Sequence, residues 1–244
     1  MSTLARKWAL VTGASRGVGA SVAQQLAARG ADIIINYRNK GTRAEEVAAA
    51  VRHVGRHAIL AQADMTSHSD VQTMLQQVQS KAGRIDLLVL NASGGLEKDK
   101  PADYAMQLNL TAQSNLVDAA LPLMPQDSRI IFVTSHLAHF YGRKPVYAAY
   151  ETVAASKRAG EDALRKRVPE LAAQGISLIV VSGDMIEGTI TPKLMARSQP
   201  GLIETRREQA GTLPTVDEFA AAIVDAAYNP RLQSGDVVFV GTIS

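Results

Sequence analysis

An α/β architecture built on a doubly wound parallel sheet is the fold class this sequence predicts, and three observations predict it. Short apolar runs rich in Val, Ile and Leu alternate along the chain with longer, alanine-rich amphipathic stretches, the pattern of strands connected by crossover helices. The apolar runs are continuous rather than alternating, as strands covered by helices on both faces must be. A glycine-rich turn, with Gly13, Gly17 and Gly19, stands between the first run and the first amphipathic stretch.

Strands are expected over 8–12, 31–36, 58–62, 85–90, 129–135, 176–182 and 236–240, seven in all. Helices are expected over 18–29, 43–54, 69–82, 103–121, 150–173 and 215–227, with Gly30, Gly55, Gly83 and Gly175 close to helix ends as C-terminal punctuation. The segment 184–214, rich in Thr, Pro, Gly and charge, reads as irregular and as a mobile lid over the site. No linker, repeat or low-complexity stretch interrupts the pattern, and 244 residues suit one α/β domain over 1–244.

Composition narrows the function classes. The formal charge is +3, with 26 Lys and Arg interspersed among 23 Asp and Glu, too small an excess to argue for a nucleic-acid partner. The absence of cysteine excludes disulfides, thiolate nucleophiles and cysteine-ligated metals. Met1 to Trp8 lead straight into Trp8-Ala9-Leu10-Val11, too short for the core of a signal peptide, and no apolar run approaches the ~20 residues of a membrane helix. A cytoplasmic protein without a membrane partner is expected.

The first apolar run ends in Thr12-Gly13-Ala14-Ser15-Arg16-Gly17-Val18-Gly19 and passes directly into Ala20-Ser21-Val22. Glycines at such a strand-to-helix turn let backbone N–H groups at the helix N-terminus approach a pyrophosphate. Here the sequence resembles the short-chain dehydrogenases/reductases, whose T-G-x-x-x-G-x-G signature is matched by Thr12, Gly13, Gly17 and Gly19. Asp64 after the third strand is similar to the family's adenine-contacting acid. Asn91-Ala92-Ser93-Gly94 is similar to its N-x-A-G stretch, and Asn109 to its helix-four asparagine. The resemblance runs to the last strand and implies a Rossmann-type fold.

It also implies a dinucleotide site made of Gly13, Ser15, Arg16, Gly17, Val18, Gly19, Arg38, Asn39, Asp64, Met65, Asn91, Ala92, Ser93, Lys157 and Thr189. The second strand ends in Ile35-Asn36-Tyr37-Arg38-Asn39-Lys40, without the carboxylate that binds ribose hydroxyls in NAD-specific sites. Arg16 and Arg38 lie where NADP-dependent members place cations, and a guanidinium fork suits a phosphate dianion. NADP(H) is therefore the expected cofactor.

The family's catalytic pattern is a serine after strand five and then Tyr-x3-Lys. Ser135 and Lys157 match the serine and lysine, but Val153 occupies the usual tyrosine position. Tyr147 and Tyr150 are the nearest candidates. At 100° per residue the seven positions from Tyr150 to Lys157 fall about 20° short of two full turns, whereas Tyr147 lies about 80° away. A Tyr150-x6-Lys157 spacing resembles the enoyl-thioester reductases of the same superfamily, as does Val181-Ser182-Gly183 in place of a Pro-Gly. In conjugate reduction hydride goes to the β-carbon while charge gathers on the thioester oxygen two bonds farther on. A proton donor displaced by about 4.5 Å along the helix suits that geometry. The resemblance implies catalytic roles for Ser135, Tyr150, Lys157 and Asn109: Lys157 binds the nicotinamide ribose and favours ionised character on Tyr150, while Ser135 bonds the substrate oxygen or positions the tyrosine.

The match is incomplete. Enoyl-thioester reductases usually carry a second tyrosine ten residues before the first, where this chain has Phe140, with Tyr141 next. The stretch from Ser135 to Tyr150 is also several residues longer than theirs and holds His136, His139, Phe140, Tyr141, Arg143 and Lys144, read as a largely solvated loop. No carboxylate near the two histidines in sequence completes a metal site. Arg158, Arg165, Lys166 and Arg167, mixed with Glu161 and Asp162, read as a solvated helix face. The expected function is NADPH-dependent reduction of a C=C or C=O bond in a small-molecule or acyl-thioester substrate, with an acyl carrier protein as a candidate partner. The alternatives are a ketone or 3-ketoacyl reductase with a displaced tyrosine, and an NADP(H)-binding sensor without catalysis. The resemblance further implies a homotetramer, or a dimer, formed through 103–121 and 150–173.

Overall fold

The computed structural model describes residues 4–97 and 99–243. All seven expected strands are present: β1 (Trp8–Val11), β2 (Asp32–Tyr37), β3 (Ala58–Gln62), β4 (Leu87–Leu90), β5 (Arg129–Ser135), β6 (Ser177–Gly183) and β7 (Val237–Val240). They form one sheet in the order β3-β2-β1-β4-β5-β6-β7, every neighbouring pair parallel. This is the doubly wound, seven-stranded Rossmann-type sheet expected from the sequence.

The continuous apolar runs divide between two cores, because successive side chains in a strand point to opposite faces. Ala9 and Val11 of β1, Ile33 and Ile35 of β2 and Ile131 of β5 join the core on one face. Leu10, Ile34 and Ile130, one residue out of phase, join the core on the other. Helices α1 (Gly17–Ala28) and α2 (Gly41–His53) lie over the first face. Helix α3 (His68–Lys81) lies over the second, capped by Ser67, whose hydroxyl accepts the Asp70 N–H.

Two expected long helices are subdivided. The stretch 103–121 becomes α4 (Tyr104–Met106), a π-helical turn at Gln107–Thr111, α5 (Ala112–Ala120) and a 3₁₀ turn at Leu121–Leu123. Helix α6 (His136–His139) and a 3₁₀ turn at Ala148–Tyr150 follow β5 and lead into α7 (Glu151–Lys166). A second helix, α8 (Val168–Ala173), begins just past it. Pro169 causes that break: it lacks an N–H, and its ring collides with the carbonyl four residues back.

The segment 184–214 is not irregular. It contains α9 (Ile190–Ser198) and α10 (Leu202–Ala210), and it is fastened by a buried ion pair in which Arg206 donates to both oxygens of Asp184 at 2.9 and 2.8 Å. Its polar composition is explained by this pairing and by the exposure of α10, most of whose residues face solvent. Helix α11 (Val216–Tyr228) then closes the first face, opened by a capping box between Thr215 and Glu218.

The π turn holds Asn109 against α7. A Cβ on Gly160 would stand 2.1 Å from the Asn109 carbonyl oxygen, so the two segments approach to a distance only glycine permits. Gly160→Ala is expected to destabilise the fold by about 2 kcal/mol or more, the cost of overpacking exceeding the gain in helix propensity; a thermal melt that does not fall would show that this contact yields freely.

Candidate active site

At the C-terminal ends of the strands the chain leaves a cleft of about 1180 Å³. It lies where the sheet order reverses between β1 and β4, the general position for ligands in open α/β sheets. The turn from β1 to α1 forms one wall. Gly13 and Gly17 have φ of +64° and +54°, and a Cβ on Gly19 would come within 2.5 Å of the Gly13 carbonyl oxygen and 2.6 Å of Asn91 Nδ2. The α1 N-terminus has neither a side-chain cap nor an acidic residue in its first turn, so its positive end is available to an anion. Gly13, Ser15, Arg16, Gly17, Val18 and Gly19 all line the cleft, as expected.

Asn91 braces this wall. Its Nδ2 donates to the Thr12 carbonyl oxygen at 2.9 Å, and Thr12 Oγ1 accepts the N–H groups of Asn91 and Ala92, both at 2.9 Å. Asn36 is a brace the sequence reading missed. Its Oδ1 accepts the Gly13 N–H at 3.1 Å while its Nδ2 donates to the carbonyls of Ala61 and Ala63. The signal was a polar residue directly after the apolar run Ile33-Ile34-Ile35.

The far end of the cleft is cationic. Arg38 donates to the Tyr104 hydroxyl at 2.7 Å and lies 3.7 Å from Asp64 Oδ2. Lys40 and Arg43, neither singled out as a site residue, line the cleft beside Arg16 and Arg38. Burial, followed by the opposing charge of Arg38, governs the Tyr104 hydroxyl, whose pKa is raised; its distance from Arg38 in sequence left no signal of their contact. Asp64 accepts from the Thr66 N–H and hydroxyl and is not the cap of α3. Asn39, Met65, Ala92, Ser93 and Thr189 also line the cleft, with Thr189 Oγ1 donating to the Ile186 carbonyl at 2.9 Å.

Ser135, Tyr150 and Lys157 all line the same cleft, as expected. Ser135 Oγ and Tyr150 Oη are 3.2 Å apart. Tyr150 enters from the 3₁₀ turn before α7, and Val153 lines the same cleft as an apolar neighbour. Burial raises the Tyr150 pKa, and the Ser135 hydrogen bond opposes it. Burial pushes Lys157 down to about 8 against the attraction of Glu161. Asn109 is placed differently. It is not among the described cleft-lining residues, and its Nδ2 donates to the Gly94 carbonyl at 2.9 Å and Ser156 Oγ at 3.0 Å, tying the strand-four loop to α7.

The stretch after Ser135 is solvated only in part, with Gly142 and Arg143 exposed. His136 and His139 are buried on α6 and pack with Phe140 against Phe239 of β7. The helix face on α7 is corrected too: Glu161 is fully buried and accepts from His139 Nδ1 at 2.8 and 3.0 Å. The carboxylate partner of His139 thus exists, but 22 residues away in sequence. No group of three or more His, Cys, Asp or Glu among the described residues could hold a metal ion.

The sheet and this cleft define the class of dinucleotide-binding α/β oxidoreductases. The family description "short chain dehydrogenase" matches residues 7–199, and the chain belongs to that family. It is 33% identical over 257 residues to a 3-oxoacyl-[acyl-carrier-protein] reductase of Synechocystis sp., covering 98% of this chain and 100% of that protein. It is 30% identical over 188 residues to a 1-cyclohexenylcarbonyl-CoA reductase of Streptomyces collinus, covering 75% of this chain and 65% of that protein. A short chain dehydrogenase from Burkholderia cenocepacia, crystallised in complex with NADP, superposes with a TM-score of 0.85 at 29% identity, over 98% of both chains.

His136 makes a prediction. Its Nδ1 lies 2.9 Å from Ser182 Oγ, its Nε2 is buried without a hydrogen-bond partner among the described residues, and burial pushes its pKa from 6.5 down to about 4. Below pH 6.5 the unfolded chain binds the proton that the folded chain refuses, so stability falls from there down to about pH 4. Urea melts at several pH values are expected to show this slope flattened in His136→Asn; an unchanged slope would assign the acid sensitivity elsewhere.

Proposed function

We propose that this enzyme is an NADPH-dependent reductase of enoyl thioesters, in which Tyr150 protonates the substrate or stabilises its oxyanion. The residues fit the cofactor. The uncapped α1 N-terminus and the Gly19 cradle suit a pyrophosphate. Arg16, Arg38, Lys40 and Arg43 line the end where an adenosine phosphate belongs. NADPH bound there supplies the hydride.

The observation that carries the reading is the 3.2 Å pair of Ser135 and Tyr150 hydroxyls beside an apolar Val153. The family's usual tyrosine position thus offers no proton, while Tyr150, three residues earlier in the 3₁₀ turn before α7, brings its hydroxyl to that of Ser135. A conjugated thioester needs its oxygen stabilised at a remove from the carbon that receives hydride. Leu137, Val146, Met185 and Met195 add apolar walls suited to an acyl chain, and Lys144 and Lys193 line the same cleft. Their positive charge suits the phosphate-bearing carrier of a thioester, whether CoA or an acyl carrier protein. A second reading is reduction of a ketone or 3-ketoacyl group, favoured because the same hydroxyl pair can polarise one carbonyl oxygen.

NADPH oxidation against a panel of 2-enoyl and 3-ketoacyl thioesters separates the two readings, turnover of ketones alone selecting the second. Tyr150→Phe is expected to lower kcat at least about a hundredfold, the scale of a lost general acid, with NADPH affinity kept within about twofold. Unchanged turnover would refute the role of Tyr150, and silence across the panel with tight NADPH binding favours a sensor. Arg38→Leu is expected to weaken NADPH binding by about tenfold to a hundredfold, the scale of a charge-assisted hydrogen bond, and to leave NADH binding nearly unchanged; equal losses for both would remove the phosphate assignment.

A further inference from the structure

Directly behind the reacting end lies a buried charged group that the proposed chemistry leaves unused. Glu161 has no exposed surface and stands four residues after Lys157 on α7, so the two side chains share a helix face. His139, from α6, brings Nδ1 within 2.8 and 3.0 Å of the two Glu161 oxygens. A carboxylate only accepts, so Nδ1 carries the proton. Arg158 and Arg165 approach the same carboxylate at 3.9 and 4.0 Å.

We propose that Glu161, held in place by His139, is a positioning residue that keeps the Lys157 ammonium charged inside the cleft despite its burial. The inference rests on the reading of Lys157 as the residue that binds the nicotinamide ribose. Unpaired, a buried ammonium loses its proton readily, and among the described residues no other carboxylate stands as near to Lys157 along α7. Burial lowers the lysine to about 8 and the attraction of Glu161 opposes that fall.

The other carboxylates do not substitute for it: of those lining the cleft with Lys157, Asp184 is bonded by Arg206, Glu97 accepts the Gly95 N–H and Asp64 lies beside Arg38, while Glu151 in the first turn of α7 is exposed. From α6 come His136 and His139, from the 3₁₀ turn Tyr150, and from α4 Tyr104, none of them a carboxylate. On α7 itself Asp162 is paired with Arg158 at 2.7 Å. Asp118 of α5 and Glu170 of α8 are both paired with Arg167, beyond the last turn of α7. The one charged residue of β5, Arg129, stands at the opposite end of that strand from Ser135. The π turn and β6 contribute no charged side chain.

The test is NADPH affinity, followed by fluorescence from pH 6 to 9.5, so that it needs no substrate. Wild-type affinity is expected to weaken as Lys157 loses its proton near pH 8. In Glu161→Gln the midpoint is expected to fall by about one pH unit, the lower end of the effect of an adjacent opposite charge. Binding at pH 8 then weakens several-fold while binding at pH 6 stays within about twofold. His139→Leu takes its donor from the buried carboxylate, which favours the neutral acid, and is expected to move the midpoint downward in the same sense; it serves as the second variant if the first does not fold. A midpoint unmoved in either folded variant overturns the role of Glu161. Lys157→Met is expected to abolish the limb, and a limb that survives there overturns instead the placement of Lys157 at the cofactor, and this inference with it.

Discussion

The reversal of winding between β1 and β4 is the constraint on which the rest of this molecule depends. From β1 the chain crosses to β2 and β3 on one side, then returns to lay β4 on the other. The connections leaving these two strands diverge, and the crevice between them cannot be filled by either. Adjacent strand ends must nevertheless be fastened, and Thr12 and Asn91 do so: one hydroxyl accepts two backbone N–H groups of the β4 loop, and one amide returns a bond to β1. Asn91 and Ala92, which these bonds hold, line the cleft, so the stability of the fold and the shape of the site rest on the same few bonds.

Charge is distributed along that cleft in two regimes. At the cofactor end, Arg16, Arg38, Lys40 and Arg43 are partly exposed, so their attraction for a phosphate is screened but steers it from a distance. At the reacting end, Tyr150, Lys157 and Glu161 are buried, where each interaction is stronger and each unpaired charge costs more. The segment over the site follows the same rule. Asp184 and Arg206 are both buried and joined by two hydrogen bonds, so α10 is anchored beside the cleft by a pair whose separation would leave two uncompensated charges.

The sheet was legible in the sequence because its strands are short, apolar and separated by helical periodicity, signals carried within each segment. Strand ends moved by no more than two residues, and the glycine turn lay where Gly13, Gly17 and Gly19 placed it. What was not legible depended on distance. Nothing local in Glu161 distinguishes a buried carboxylate from a solvated one, because its partner His139 arrives from another helix. Arg38 showed its charge but not Tyr104, 66 residues away. The split of 150–173 was available locally in Pro169 and was outweighed by the amphipathic pattern around it. The segment 184–214 looked irregular because its composition is polar, whereas its order comes from contacts distant in sequence, among them the buried Asp184–Arg206 pair and the burial of Met195 and Leu202.

The displaced tyrosine and the buried carboxylate have a common structural origin. Between Ser135 and Tyr150 the chain makes a short helix, α6, capped by Ser135 itself through a 3.3 Å bond from the Ala138 N–H. Helix α6 packs on α7 and on Phe239, and the chain then returns through Tyr147 to the 3₁₀ turn that carries Tyr150. Tyr150, the proposed proton donor, is thus placed by the path of this segment rather than by the register of α7, which brings Val153 to the cleft instead. The same segment delivers His139 to Glu161, one turn from Lys157 on α7. One segment therefore places the Tyr150 hydroxyl in the cleft and brings a partner to the carboxylate one turn from Lys157, so that α6 links the two residues to which the proposed chemistry assigns the acid and the ribose anchor.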